Sequence, residues 1–339
     1  MRNRIAVSPM CQYSSEDGFA SDWHLVHLGS RAAGGAGLVM VEASAVTPEG
    51  RITPEDLGIW KNEHVPALAR IAAFIEGQGA VPGIQLAHAG RKASTRRPWD
   101  GGTTIALDDG GWTPVAPSPI PFEPEDQPPT ELTADQLQQT LWAFVNAAGR
   151  AGKAGFRLIE LHAAHGYLLH EFLSPLSNHR TDGYGGSLEN RMRFPLQVIR
   201  AVRDAWPEEY PMFVRISATD WAEGGWEIEQ SIAFAREAGA LGIELIDVSS
   251  GGLAHSAKVT VSPGYQVEFA ERIKAEAGIL TGAVGLITDA KQAAEIIQTG
   301  KADIVLLARA TLRDPYWAHH AAEAFEIKPT VPPQYMRAF

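Results

Sequence analysis

The chain has 339 residues, 45% of them hydrophobic and 20% charged, which is enough to bury a large core and ordinary for a globular protein. A formal net charge of −11 argues against nucleic acid and anionic membrane as partners, and no apolar run approaches the roughly 20 residues that cross a bilayer. The single cysteine, Cys11, excludes an intrachain disulfide and a cysteine-based metal cluster; the N-terminus Met1–Ile5 lacks the apolar stretch of a signal peptide, so the expected location is the cytoplasm.

Along the chain, short β-branched runs alternate with helical periodicity. Strands are expected at Ile5–Ser8, Leu38–Glu42, Val81–Leu86, Leu158–Leu161, Met212–Ile216, Leu245–Val248, Ile279–Thr281 and Ile304–Leu307. Helices are expected at Val65–Gly77, Ala134–Gly155, Leu188–Ala205, Glu229–Leu241, Gln266–Ala277 and Asp289–Gly300. Thr133 and Gln136 read as a capping box, and Gly77, Gly155, Gly242 and Gly300 stand where helices should stop. Strands alternating with helices favour an α/β fold, a (β/α)8 TIM barrel in one domain over residues 1–339. A doubly wound sheet should show a G-x-G-x-x-G turn after its first strand; here Pro9-Met10-Cys11-Gln12-Tyr13 follows instead. The segment 94–130 is rich in Pro, Gly and Asp and follows the third strand. It reads as an elaborated loop or cap on the C-terminal face, where barrel active sites lie.

Residues at strand C-termini of a barrel share one pocket. The densest group is Glu160-Leu-His162-Ala-Ala-His165-Gly-Tyr167. Two imidazoles can donate N–H to one substrate oxygen, and a phenol can donate a proton. That set suits a reaction that builds negative charge on a carbonyl oxygen and then protonates the adjacent carbon. The plain alternative is that all three are satisfied loop and core residues. Gly285 and Arg309, after strands seven and eight, suit a phosphate, although a loop glycine often serves only its turn. Arg215, at a buried strand end, needs an anion: a ligand or a structural carboxylate. Gln85 can read an imide edge or bond neighbouring backbone. Cys11 can be a small buried hydrophobe. Arg91, Lys92, Arg96 and Arg97 form either a solvated face or a patch that draws a phosphorylated cosubstrate.

Several stretches are more specific. Ser8-Pro9-Met10-Cys11-x-Tyr13, Gly83-Ile-Gln85-Leu-Ala-His88-Ala-Gly-Arg91-Lys92, His162-x-x-His165-Gly-Tyr167 and Ser177-Asn-His-Arg-Thr-Asp-x-Tyr-Gly-Gly-Ser187 resemble the old yellow enzyme family, most closely its YqjM-like, thermophilic-type bacterial ene-reductases. The resemblance runs from Arg2 to Gln334-Tyr335-x-Arg337. It implies a (β/α)8 barrel with non-covalent FMN that reduces activated C=C bonds of unsaturated carbonyls and nitroalkenes, with NADPH, or also NADH, as reductant. By that likeness Ser8, Pro9, Met10 and Ala43 line the flavin, and Cys11 tunes it. Gln85 bonds its pyrimidine edge, and Arg215 stabilises its reduced, anionic form. Gly285, Ala308 and Arg309 take the phosphate. His162 and His165 hold the substrate oxygen, Tyr167 protonates Cα, and Tyr13 adds a substrate contact. Arg337 matches an arginine that enters a neighbouring subunit's site, which implies a homodimer or homotetramer. Two departures stand out: the given sequence begins almost at strand one, without the short segment that usually precedes it, through either a late start or a deletion, and Ala308 replaces the usual glycine. A larger branch with an iron–sulfur cluster is disfavoured by the lone cysteine. A phosphate-binding aldolase or isomerase remains a rival, though no expected strand carries the lysine that Schiff-base chemistry requires.

Overall fold

The computed structural model describes residues 1–339. Eight strands, β1 (Ile5–Val7), β2 (Leu38–Ala45), β3 (Val81–Ala87), β4 (Leu158–Ala163), β5 (Met212–Ser217), β6 (Leu245–Ser249), β7 (Leu280–Ala283) and β8 (Ile304–Leu307), close into a barrel. Every neighbouring pair is parallel, and β1 closes the ring by pairing with both β2 and β8. The TIM-barrel expectation is borne out, and each expected strand is found with its ends shifted by up to three residues.

The two-residue period of each strand sorts its side chains between the barrel interior and the helical layer. Leu158, Phe213 and Leu245 join Ala6, Leu38, Met40, Ile304 and Leu306 as an apolar plug in the interior. Each of these side chains larger than alanine contributes on the order of 1.5–3 kcal/mol on burial. Two residues further along the same faces stand Glu160, Arg215 and Asp247, and two beyond them His162, Ser217 and Ser249. The intervening Ile159, Leu161, Val214, Ile216, Ile246 and Val248 pack outward against the helices. The interior thus grades from apolar to charged to hydrogen-bonding towards the C-terminal face. A register shift between Val41 and Ala43 sets Ala43 opposite Gln85. Glu42, beside it, approaches His24 at 3.7 Å and accepts the Gln12 N–H at 2.9 Å.

The helices are α1 (Asp22–Ala33), α2 (Val65–Gly77), α3 (Ala134–Lys153), α4 (Leu168–Leu173), α5 (Leu188–Ala205), α6 (Ile228–Ala240), α7 (Val267–Ala277), α8 (Ala290–Gln298), α9 (Arg309–Arg313) and α10 (Trp317–Ala324). Thr133 and Gln136 form the expected capping box. Asp289, expected as a helical residue, is instead the cap of α8, accepting from the N–H groups of Lys291 and Gln292. Helix α1 was not expected. Its start is marked by Ser21 and His24, whose Nδ1 accepts the Ser21 N–H at 2.9 Å, so a histidine fills the place usually held by Glu or Gln. Three further short helices, α4, α9 and α10, also lacked a readable period. The stop after α2 falls at Gly79, which is left-handed, rather than at Gly77.

The segment 94–130 contains 3-10 turns at Pro98–Asp100 and Leu107–Asp109 and a two-residue pairing of Val115–Ala116 with Thr130–Glu131. It touches loops from several strands. Trp99 packs edge-on against Tyr13 with centroids 5.7 Å apart, the indole N–H of Trp112 donates to the Glu49 carbonyl, and Phe122 meets His255.

Candidate active site

The loop from β4 to α4 carries His162, His165 and Tyr167. Two successive left-handed residues, His165 (φ 59°) and Gly166 (φ 73°), turn the chain back over the barrel mouth. The turn is held by three hydrogen bonds. The His165 N–H donates to Ser217 Oγ at 2.9 Å, the Gly166 N–H donates to His170 Nδ1 at 2.9 Å, and Lys92 Nζ donates to the His165 carbonyl at 3.0 Å. Behind it, buried His170 lies 3.0 Å from Asp220. Burial by itself would raise Asp220, but the charge and hydrogen bonds of His170, with Ser174 and the Trp226 N–H, hold it below the usual carboxylate range.

This turn brings the three rings together. The His162 centroid lies 5.1 Å from that of His165 and 5.0 Å from that of Tyr167, edge to face in both cases. His162 Nδ1 accepts the Ala164 N–H at 3.3 Å, which assigns the ring proton to Nε2. His165 Nε2 is 2.7 Å from Ser249 Oγ. Burial, and then the positive charge of Arg215, hold both imidazoles well below the ordinary histidine value, so both are neutral at pH 7. Burial pushes the Tyr167 phenol well up, so it keeps its proton. Lys92 stands 5.2 Å from the Tyr167 ring centroid and 4.4 Å from that of Phe122, and burial lowers it to about 8.

Next to this group lies the barrel mouth. Arg215 Nη1 donates to Ser8 Oγ at 3.0 Å, and its Nε is 3.3 Å from Asp247 Oδ2. Gln85 donates through Nε2 to Glu160 Oε1 at 2.7 Å. Arg215 therefore has a structural carboxylate, and Gln85 bonds a side chain rather than neighbouring backbone. Pro9 and Met10 follow Ser8 and are half-buried. Ala43 is opposite Gln85. Cys11 is a half-buried free thiol that burial, then Asp56 and Glu42, push well up, so it remains protonated. Tyr13 has φ 49°, and burial raises its phenol.

Gly285, Ala308 and Arg309 line one cavity of about 140 Å³ together with Ser249, Gln266 and Tyr265. Gly285 has φ 114°, and a Cβ there would lie 2.8 Å from the Gln266 side chain, so only glycine fits. Ala308 has a φ of −102°, outside the left-handed region that favours glycine. The Arg309 side chain is exposed at the start of α9. Arg337 is in the C-terminal tail, which leans on α10 through Tyr335 against Tyr316 and Phe339 against His319. The structure does not join it to the other site residues.

The basic cluster needs correction, because it is neither one solvated face nor one patch. Arg91 is buried and donates to the carbonyls of Ile120, Pro121 and Leu253. Lys92 turns inward to the His165 and Gly252 carbonyls. Arg96 and Arg97 pair at the surface with Asp109 and Asp100. Sequence reasoning named Glu160 without giving it a role, and it passed over Asp247, Ser217 and Ser249. An acid between Ile246 and Val248 in a buried strand was a signal in the case of Asp247.

Residues 1–327 match the family model described as NADH:flavin oxidoreductase / NADH oxidase. The chain belongs to this family. It is therefore an oxidoreductase of the old yellow enzyme group, as its motifs implied. It is 48% identical to an NADPH dehydrogenase of Bacillus subtilis (strain 168) over 341 aligned residues, covering 100% of this chain and 96% of that one. An NADPH dehydrogenase of Listeria innocua serovar 6a is 49% identical with the same coverage. Among solved structures, morphinone reductase superposes with a TM-score of 0.79 at 26% identity, over 98% of this chain and 88% of that one. A 2-naphthoyl-CoA reductase complex superposes with a TM-score of 0.86 at 27% identity. It covers 95% of this chain but 50% of the larger one, so the chain spans about half of it. No helix is long and apolar enough to cross a membrane.

Proposed function

We propose that this enzyme is an FMN-dependent ene-reductase that uses NADPH, with NADH as an alternative donor, to reduce the activated C=C bond of unsaturated carbonyls or nitroalkenes. The observation that carries the reading is the convergence of His162, His165 and Tyr167 at the barrel mouth. The residues present fit FMN. The cavity of Gly285, Ala308 and Arg309 offers close backbone approach and a guanidinium to a phosphate. Ser8, Pro9, Met10, Cys11 and Ala43 would flank the ring, Gln85 would meet its imide edge, and Arg215 would face its negative charge. Bound FMN supplies the hydride that passes from the nicotinamide to the substrate β-carbon.

The chain's own groups do the rest. His162 offers Nε2–H to the substrate oxygen. His165 exchanges Ser249 for the same oxygen. Because both rings are neutral, they donate hydrogen bonds to the developing enolate without releasing a proton to it. Tyr167, protonated throughout the neutral range, delivers its proton to Cα. Tyr13 closes the substrate side together with Trp99. Arg337, exposed in the C-terminal tail, would complete the site of a neighbour in a homodimer or homotetramer.

An anaerobic titration of the purified protein tests the proposal. A flavin spectrum that bleaches with NADPH and returns on adding cyclohexenone supports it. A colourless protein that FMN cannot reconstitute refutes it and favours a phosphate-binding aldolase or isomerase.

A further inference from the structure

Two carboxyl groups inside the barrel have no part in the reaction just described. Glu160 on β4 and Asp247 on β6 are fully buried and lie within hydrogen-bonding reach of each other. The pair is enclosed by a connected set of polar side chains. Gln85 donates to Glu160 Oε1 at 2.7 Å, Arg215 Nε lies 3.3 Å from Asp247 Oδ2, and Arg215 Nη1 donates to Ser8. Arg215 is the charged group that faces the pair. His162, two residues along β4, is neutral and next to Arg215. On the other side lies the apolar plug of Leu158, Phe213 and Leu245.

This arrangement is incomplete as two carboxylates. Glu160 Oε2 and both oxygens of Asp247 accept no hydrogen bond, although all three are buried. Two ionised carboxylates against one guanidinium would also leave a net negative charge in a layer sealed from water. One proton between Glu160 Oε2 and Asp247 removes both faults. It supplies the missing donor, and it makes the set of Glu160, Asp247 and Arg215 neutral. Burial, and then repulsion from Asp247, push Glu160 well above the carboxylate range in the same sense, and burial raises Asp247 as well.

We propose that Glu160 and Asp247 share a single proton and act as one monoanionic counter-ion that positions Arg215 at the barrel mouth. Glu160 is then a positioning residue rather than a catalytic one. Its Oε1 also fixes the amide of Gln85, because it can only accept from Nε2. The consequence for the cofactor rests on the proposed FMN function. A neutral set lets Arg215 stabilise negative charge on a reduced flavin without a second carboxylate opposing it.

Infrared difference spectroscopy at mildly alkaline pH tests the shared proton, with or without flavin. Glu160→Gln and Asp247→Asn should each remove one and the same protonated-carboxyl C=O band, because the proton belongs to the pair and one remaining carboxylate is enough for Arg215. Other buried acids, such as Glu42 and Glu171, cancel in the difference. A band lost with Glu160→Gln but kept in Asp247→Asn would mean that Glu160 is protonated independently, and would overturn sharing. No band lost in either variant would mean that both are ionised, and would overturn it too. The flavin midpoint potential gives the second readout. Asp247→Asn should not shift it, because it leaves the set neutral and keeps the Glu160 acceptor of Gln85, whereas the double variant should lie above Glu160→Gln alone by leaving Arg215 uncompensated. A rise in Asp247→Asn refutes the shared proton. If the protein binds no flavin, the functional reading fails while the infrared arm still decides the proton. If one variant does not fold, retention of the band in the other is sufficient to refute.

Discussion

Substituting Gly166 with alanine should separate the catalytic loop from the rest of the fold. The residue sits at φ 73° between His165 and Tyr167. An alanine there costs about 1–2 kcal/mol in backbone strain. Its Cβ would also lie 2.3 Å from the Gly252 carbonyl oxygen and 2.8 Å from Leu253 Cα. These are backbone atoms and cannot swing aside. Gly252 is itself left-handed, with His165 Cα 2.7 Å from where its own Cβ would stand, so the two segments are locked together. Relieving such overlap adds about 1–3 kcal/mol, for a total of roughly 2–5 kcal/mol. Gly155→Ala is the control: φ is 88°, with nothing within 4 Å of the added Cβ, so it should pay the strain alone. Urea unfolding measures both. Stopped-flow kinetics then divides the reaction. Gly166→Ala should keep FMN and its reduction by NADPH but slow reoxidation by an enone by about 100-fold, because displaced rings no longer reach the substrate. A variant as stable as Gly155→Ala to within about 0.5 kcal/mol, with normal reoxidation, would refute the reasoning.

Tyr167→Phe should slow enone reduction while sparing flavin reduction by NADPH; equal loss in both half-reactions, measured by stopped-flow, removes its role as the acid. Glu42 is raised by burial from 4.5 to about 8, so folding favours its protonated form. That contribution is present below the unfolded value near 4.5 and is lost as pH rises through about 8. Glu42→Gln should therefore gain stability relative to the natural protein as pH rises over that window, by at most about 5 kcal/mol, and denaturant unfolding at several pH values would show instead a constant difference if burial were not the cause. Arg309→Met should weaken FMN binding at least 10-fold in fluorescence titrations, about 1.4 kcal/mol for one lost charge-assisted contact, with thermal stability of the apoprotein unchanged. Arg337→Ala should raise the KM for enone without loss of FMN. Mixed oligomers of Arg337→Ala with Tyr167→Phe subunits should recover activity in subunit-exchange assays, and no recovery would place Arg337 outside a shared site.

The amino-acid sequence determined the strands, most of the long helices and the site loop. Strand periodicity needs only neighbours in the chain, and His162, His165 and Tyr167 lie within one turn. The motif residues around Ser8 and Gln85 were legible for the same reason. Closure of the barrel decided the rest. It pairs Arg215 with Asp247 through strand register, a choice that neither residue's local sequence expresses. It buries Arg91 and Lys92 against carbonyls from distant loops while their neighbours Arg96 and Arg97 stay at the surface, so one basic run splits into two environments. The shift at Val41–Ala43 that brings Ala43 opposite Gln85 is likewise invisible to a two-residue period. Local sequence sets which faces a segment has; the partner of each face is fixed only when segments far apart in the chain pack, because that is where burial and hydrogen bonding are decided together.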